Sequence, residues 1–145
     1  MNEVAGITYE NTILESLGVR VIEMTSDKVV MELDVGPRVH QPMGILHGGA
    51  SAVLAESAAS MGTFMNLDPA TQYAVGIELS ISHLKSKTTG LLRATATPIR
   101  KGRGVHVWNI DLKDEDEKPI AVSRCTVLIR SWDAGPNQEP APKGD

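Results

Sequence analysis

The sequence predicts an α+β fold in which a broad, curled antiparallel sheet covers one long helix. Two observations predict it. A run of small and apolar residues from Gly49 to about Asn66 has the period of a helix. Strand-like segments at 19–24, 28–35, 73–84, 91–99, 104–112 and 119–129 flank it, joined by polar connections holding a glycine or a charge run. A single long helix needs a layer to bury its stripe, and a sheet that curls is the layer these strands supply.

The elements follow in order. "NTILESLG" predicts a short helix, with Thr12 and Glu15 spaced as a capping box and Gly18 as its stop. In "VVMELDV" Val29, Met31, Leu33 and Val35 alternate with Val30, Glu32 and Asp34, the period of a half-buried strand. Gly36 and Pro37 end it, and an irregular loop is expected as far as Gly48. In the long helix Ala50, Val53, Leu54, Ser57, Ala58, Met61, Phe64 and Met65 form the stripe expected on the sheet. Gly49, Ala52, Glu56, Ser60 and Thr63 form the opposite side. After a turn at Asp68-Pro69, the last four strands are expected to form an antiparallel meander through "KSKTTG", "RKGRG" and "DEDEK".

At 145 residues the chain predicts one domain, 1–132, followed by a disordered tail at 133–145 rich in Pro, Gly and charge. Aromatic residues make up 3%, so Val, Ile, Leu, Met and Ala must build the core, and few aromatics are expected at any pocket. A net charge of −4 gives no reason to expect nucleic acid, and no apolar run reaches the ~18 residues of a membrane span. "MNEVAGITYENT" has neither a basic start nor an apolar signal core, so a cytoplasmic location is expected. The single cysteine, Cys125, excludes an internal disulfide.

Glu56 is the one ionisable residue of the long helix. A lone Glu in an apolar helix is ordinarily a rim residue or pairs with a cation from elsewhere in the fold. Here the helix has no basic residue at three or four positions' spacing, and Ser60 lies one turn on along the same side. The helix begins "HGG", which leaves its first amides open to close approach at the positive end of the dipole. A carboxylate beside bare amides suits chemistry on a carbonyl. The amides would hold the oxyanion, and the carboxylate would attack or activate water.

"QPMGILHGGASAVLAESAAS" resembles the helix-start signature of acyl-CoA thioesterases with the hotdog fold, of the phenylacetate-pathway and Arthrobacter 4-hydroxybenzoyl-CoA type. The resemblance runs from about Val19 to Arg130 and includes "VGIELSISHL", "KGRGVHVWNIDL" and "AVSRCTVLI" in the family's order. It implies hydrolysis of an acyl-CoA, with an aryl or arylacetyl group favoured, and no metal or other cofactor. It implies Glu56 as nucleophile or general base and the Gly48 N–H as the group polarising the carbonyl. His47 and Gln41 would position the carbonyl, water or thiolate, and Ser60 would orient the water or substrate. Gly76, His83, Lys85, Gly102 and Arg103 would flank the coenzyme A moiety. It also implies a homo-oligomer, a dimer with shared active sites and a homotetramer built as a dimer of dimers.

Two other functions share this fold. A hydroxyacyl-thioester dehydratase would carry a different His-containing loop and form an enoyl product. A non-catalytic acyl-CoA sensor would carry a DNA-binding module, for which the ~18 residues before the first strand are too few. Zinc is disfavoured at His47, since His40 stands seven residues earlier with no ligand pattern between them. His40 and His106 are expected to be ordinary surface or strand residues, Cys125 buried and inert, and Met61 core. The absence of Gly-x-Ser-x-Gly leaves a serine triad no anchor.

Overall fold

The computed structural model describes residues 3–132, so the expected tail at 133–145 lies outside the described residues. The elements are β1 (Glu3–Val4), β2 (Ile7–Thr8), α1 (Ile13–Ser16), β3 (Arg20–Met24), β4 (Val29–Val35) and α2 (Gly48–Phe64). They continue with β5 (Gln72–His83), β6 (Gly90–Lys101), β7 (Val105–Lys113) and β8 (Pro119–Ser131). The β1–β2 hairpin turns through Ala5 and Gly6 at positive φ and was not visible in the sequence pattern. No helix of the described residues is long and apolar enough to cross a membrane.

Six antiparallel strands form one sheet in the order β3-β4-β6-β7-β8-β5, and α2 lies against all but its β3 edge. Period-two alternation puts Met31 and Leu33, Leu92, Ala94 and Ala96, Trp108, Ile110 and Leu112, and Cys125 and Val127 in the core. Strand β4 is more buried than its alternation predicts. Glu32 on the other face is covered because Arg93 closes on it at 2.6 Å, and Val30 is buried as well.

The meander is half of what forms. β6, β7 and β8 are sequential neighbours, but β5 pairs with β8 at the far edge, and β6 pairs with β4 from Val29↔Ala96 to Val35↔Gly90. "KSKTTG" is therefore a crossover and not a hairpin turn. Its length and polarity suit either, and tertiary ties decide. Leu46 N–H donates to the Lys87 carbonyl at 2.7 Å, His40 Nε2 to the Thr88 carbonyl at 2.8 Å, and Lys87 Nζ to Glu115 at 2.6 Å. The Lys87 ammonium, with help from the Leu91 N–H, holds the Glu115 carboxyl at about 2. His40 thus ties the loop before α2 to the crossover.

Other local expectations shift. Thr12 does not cap α1 with its side chain; its hydroxyl donates to the Tyr9 carbonyl at 2.5 Å, while Glu15 accepts from the Asn11 N–H at 2.7 Å. Gly18 takes the left-handed stop at φ +68°. The loop after β4 contains a short 3-10 turn at Pro37–Val39. His106 is a buried strand residue, and burial, then the Lys101 charge, pushes its pKa down.

The long helix is turned about one residue from its expected orientation. Ser51, Leu54, Ala55, Ala58, Ala59, Gly62 and Thr63 are buried on the sheet, while Val53, Ser57 and Phe64 join Glu56 and Ser60 on the less buried side. The sheet provides the bulk and the helix the clearance. Trp108 lies so close that a Cβ on Gly62 would stand 2.5 Å from its Cη2, and the indole N–H donates to the Thr63 hydroxyl at 2.9 Å. Gly62→Ala, ordinarily a gain of up to about 1 kcal/mol within a helix, meets overpacking worth about 1–3 kcal/mol here. It should lower the urea midpoint; an unchanged or higher midpoint would contradict the packing.

Candidate active site

The start of α2 is built from its own loop. His47 is the N-cap residue, and its Nδ1 accepts from the Gly49 N–H at 2.7 Å while its carbonyl accepts from the Ala50 N–H at 3.0 Å. Among the described residues no acceptor takes the Gly48 N–H, which opens the helix at the positive end of the dipole. The His83 ring rests on Gly48: a Cβ there would stand 2.7 Å from His83 Nε2, so only glycine lets the imidazole approach.

A cavity of about 340 Å³ opens at this point, and Gln41, Gly48, His83 and Lys85 all line it, with Ile45 and Ile120 as apolar walls. Gln41 holds its own loop, its side-chain carbonyl accepting from the Met43 N–H and its backbone N–H donating to Ile45 at 2.9 Å. Ser51 also lines the cavity, fully buried with a hydroxyl that has no protein partner; no residue pattern marked it. His47 is not part of this lining. Its ring, used as a cap, borders a separate groove with Arg38, His40 and Val53.

Glu56 and Ser60 stand further along α2 on its less buried side. The Glu56 side chain lies over Gly76 of β5, where any Cβ would run into the carboxylate. The β5–β8 register slips just after Gly76, a bulge that shapes this spot. Among the described residues no cation pairs with Glu56. The contrast is Glu32, a more deeply buried carboxylate that receives Arg93 through Nε at 2.7 Å and Nη2 at 2.6 Å. Cys125, behind Glu56 in β8, is fully buried, and burial, then the Glu56 and Glu78 charges, pushes its thiol up to about 12. It is no nucleophile.

Gly102 and Arg103 fall in the β6–β7 turn, where the Gly102 N–H donates to the Val105 carbonyl at 2.9 Å and Arg103 is exposed. That turn lies at the other end of α2, since neighbouring Lys101 reaches Asn66 at 3.1 Å and pairs with Asp27 at 2.6 Å. The protomer therefore brings together Gln41, Gly48, His83 and Lys85 at the helix start, and Glu56, Ser60 and Gly76 at mid-helix. It leaves Gly102 and Arg103 apart from both. Gly48 and Glu56 are eight residues apart on one helix, about 12 Å at 1.5 Å per residue.

A curled antiparallel sheet around one long helix is the hotdog fold, and this molecule adds an open amide at the helix start and an unpaired carboxylate along it. Residues 43–121 match the Thioesterase superfamily, and the chain belongs to that family. It is similar to the 1,4-dihydroxy-2-naphthoyl-CoA hydrolase of Listeria monocytogenes, 42% identical across 80% of this chain and 94% of that protein. The proofreading thioesterase EntH of Cronobacter turicensis is 34% identical across 88% of this chain and 92% of its own. Among solved structures, a mutant thioesterase of Pseudomonas aeruginosa superposes with a TM-score of 0.81 at 38% identity, covering 84% of this chain and 88% of that one. A thioesterase of Haemophilus influenzae gives 0.81 at 33% identity, covering 86% and 87%. The chain is a thioester hydrolase with the hotdog fold.

Because Glu56 lies directly on Gly76, Gly76→Ala should displace the carboxylate without disturbing the core. Thioester hydrolysis is expected to fall at least about tenfold, since small misplacements of reacting groups are costly. The thermal midpoint should hold within a few degrees. Unchanged turnover would show that the position of Glu56 over β5 is irrelevant to the reaction.

Proposed function

We propose that this protein hydrolyses an aryl or arylacetyl CoA thioester to the free acid and coenzyme A, with Glu56 as nucleophile or general base. The observation that carries the reading is the unpaired, half-buried carboxylate, set against Glu32, which the same fold neutralises with Arg93. A carboxylate left without a cation in an otherwise apolar helix stabilises nothing, so chemistry is what retains it. The naphthoyl-CoA substrate in the name of the Listeria relative favours an aryl acyl group.

As general base, Glu56 takes a proton from water while the resulting hydroxide forms the new C–O bond. The carbonyl oxygen becomes an oxyanion held by the Gly48 N–H at the helix dipole. Collapse of the tetrahedral intermediate breaks the C–S bond, and the departing thiolate regains the proton. As nucleophile, Glu56 forms the C–O bond itself, expels the thiolate, and leaves an anhydride that water hydrolyses. Ser60, one turn from Glu56, orients the water or substrate, Gln41 helps position the carbonyl, and His47 contributes through the helix start that it caps. Neither route requires a metal or redox cofactor.

One protomer does not suffice. An oxyanion donor and an attacking group must both lie about 3 Å from the reacting carbonyl, and Gly48 and Glu56 are about 12 Å apart on one helix. We place Glu56 of one copy against Gly48 of a second. β5 supports this: it is a twelve-residue edge strand, bonded only to β8, with Val75 and Ile77 exposed. Such an edge is ordinarily covered. A dimer of dimers follows the family pattern, and Gly102 and Arg103 then reach coenzyme A from a copy other than the one supplying His83 and Lys85. A cytoplasmic location goes with a coenzyme A thioester as substrate.

Thiol release from aromatic and aliphatic acyl-CoAs tests the assignment. Glu56→Ala and Glu56→Gln should each lose at least about a hundredfold in kcat, the scale of a lost acid–base group, with KM little changed. A variant that keeps most of its kcat removes Glu56 from the reaction.

A further inference from the structure

Two hydroxyls are buried on the packed side of α2, and only one is paired. Thr63 accepts the Trp108 indole N–H at 2.9 Å. Ser51 is 1% exposed, yet its Oγ has no hydrogen-bond partner among the described residues. A serine within a helix ordinarily bonds the carbonyl four residues earlier. Here that carbonyl, of His47, takes the Ala50 N–H at 3.0 Å and the Ser51 N–H at 3.4 Å, and the Ser51 side chain does not join them. A hydroxyl held out of water and left unpaired is destabilising, a loss that the acceptor of a bound ligand offsets.

Ser51 also lines the cavity of about 340 Å³ at the helix start, together with Gly48, Gln41 and His83. It stands three residues after Gly48, about 4.5 Å along the axis and on a neighbouring position of the same face. Helix side chains tilt toward the N-terminus, which carries the hydroxyl back toward the Gly48 amide. The side-chain carbonyl of Gln41 is already taken by the Met43 N–H. An open backbone donor and an open hydroxyl therefore border one cavity at the positive end of the dipole. His106 Nδ1 and Ser123 Oγ are also buried without a partner, but neither residue lines this cavity.

We propose that Ser51 is a second oxyanion donor, its O–H bonding the thioester carbonyl oxygen beside the Gly48 N–H. The inference deepens the hydrolytic reading above and rests on it, because it needs the carbonyl to lie at Gly48. The oxygen of a tetrahedral intermediate accepts more than one hydrogen bond, and a single amide leaves the rest of its charge unmet. As the new C–O bond forms, the carbonyl π pair moves onto the oxygen, and both donor bonds strengthen without either proton being transferred. When the C–S bond breaks, that pair re-forms the carbonyl and the thiolate leaves. Among the described residues no base bonds the Ser51 hydroxyl, so it is a donor and not a nucleophile.

Thiol release from the same acyl-CoAs by wild type and Ser51→Ala is the test. On each thioester that wild type hydrolyses, kcat should fall about a hundredfold with KM nearly unchanged, as when an interaction made mainly in the transition state is removed. The urea midpoint should hold or rise, because alanine removes an unpaired buried hydroxyl and favours the helix. These readouts separate a donor from a packing residue. A midpoint that falls along with kcat, or a kcat within about threefold of wild type, overturns the role. Should Ser51→Ala fail to fold, Ser51→Cys keeps the shape and weakens the donor. In Glu56→Gln with carbonyl-labelled benzoyl-CoA bound, the infrared carbonyl stretch should lie below that of the free thioester. Adding Ser51→Cys should move it back up, and an unmoved stretch overturns the contact. Glu56→Gln that turns over like wild type sinks the role of the carboxylate alone, whereas full kcat in Ser51→Ala sinks only the second donor.

Discussion

A helix made of alanine, serine and glycine can lie closer to a sheet than one made of leucine, and this close approach sets the rest of the molecule. Gly62 leaves room for the Trp108 ring, and Thr63 takes the indole proton that would otherwise be buried unpaired. Bulk then belongs to the concave face of the sheet, where Trp108, Met31 and Leu33 are wholly buried. Since the helix needs no large residues on its packed side, it stays apolar and small nearly all round. One carboxylate is left on its less buried side, over Gly76 of β5.

The same fold treats Glu32 and Glu56 in opposite ways. Glu32 lies between strands and is held by Arg93, with Arg20 at 3.7 Å. Glu56 lies over a glycine, and among the described residues no cation pairs with it. Removing a carboxylate from water without a counter-ion costs free energy that packing does not return. Proteins named as thioesterases and as a CoA hydrolase match over more than four fifths of their own lengths, and the role proposed for Glu56 in hydrolysis would supply the reason to keep it.

Position along α2 divides the chemistry. Its first residue presents the open amide under His83, and its middle presents the carboxylate, each with its own part of β5 for a wall. The crossover through Lys87 makes the first half possible, because it carries Lys85 and Ser86 over the helix start and is locked there by Glu115. On the proposed mechanism two half-sites on one helix lie too far apart to share a carbonyl, and a second copy running the opposite way would complete them.

Much of this was legible in the chain. The strand segments, the long helix, its glycine start and the isolation of Glu56 are local patterns of spacing and residue type. Local patterns survive folding when each residue's surroundings are its sequence neighbours. The orientation of α2 was not legible, because a helix that is apolar all round carries no moment to aim it, and Thr63 and Phe64 changed sides as a result. Nor was the place of β5 in the sheet, since "KSKTTG" suits a hairpin or a crossover and only contacts with His40, Leu46 and Glu115 choose. His47 was recruited as a cap, a role set by where its ring falls. The sequence by itself determined which residues could do chemistry on a carbonyl. Tertiary structure alone decided which of them meet, because the distances between Gly48 and His83 and between Glu56 and Gly76 are set by strands that pair far apart in the chain.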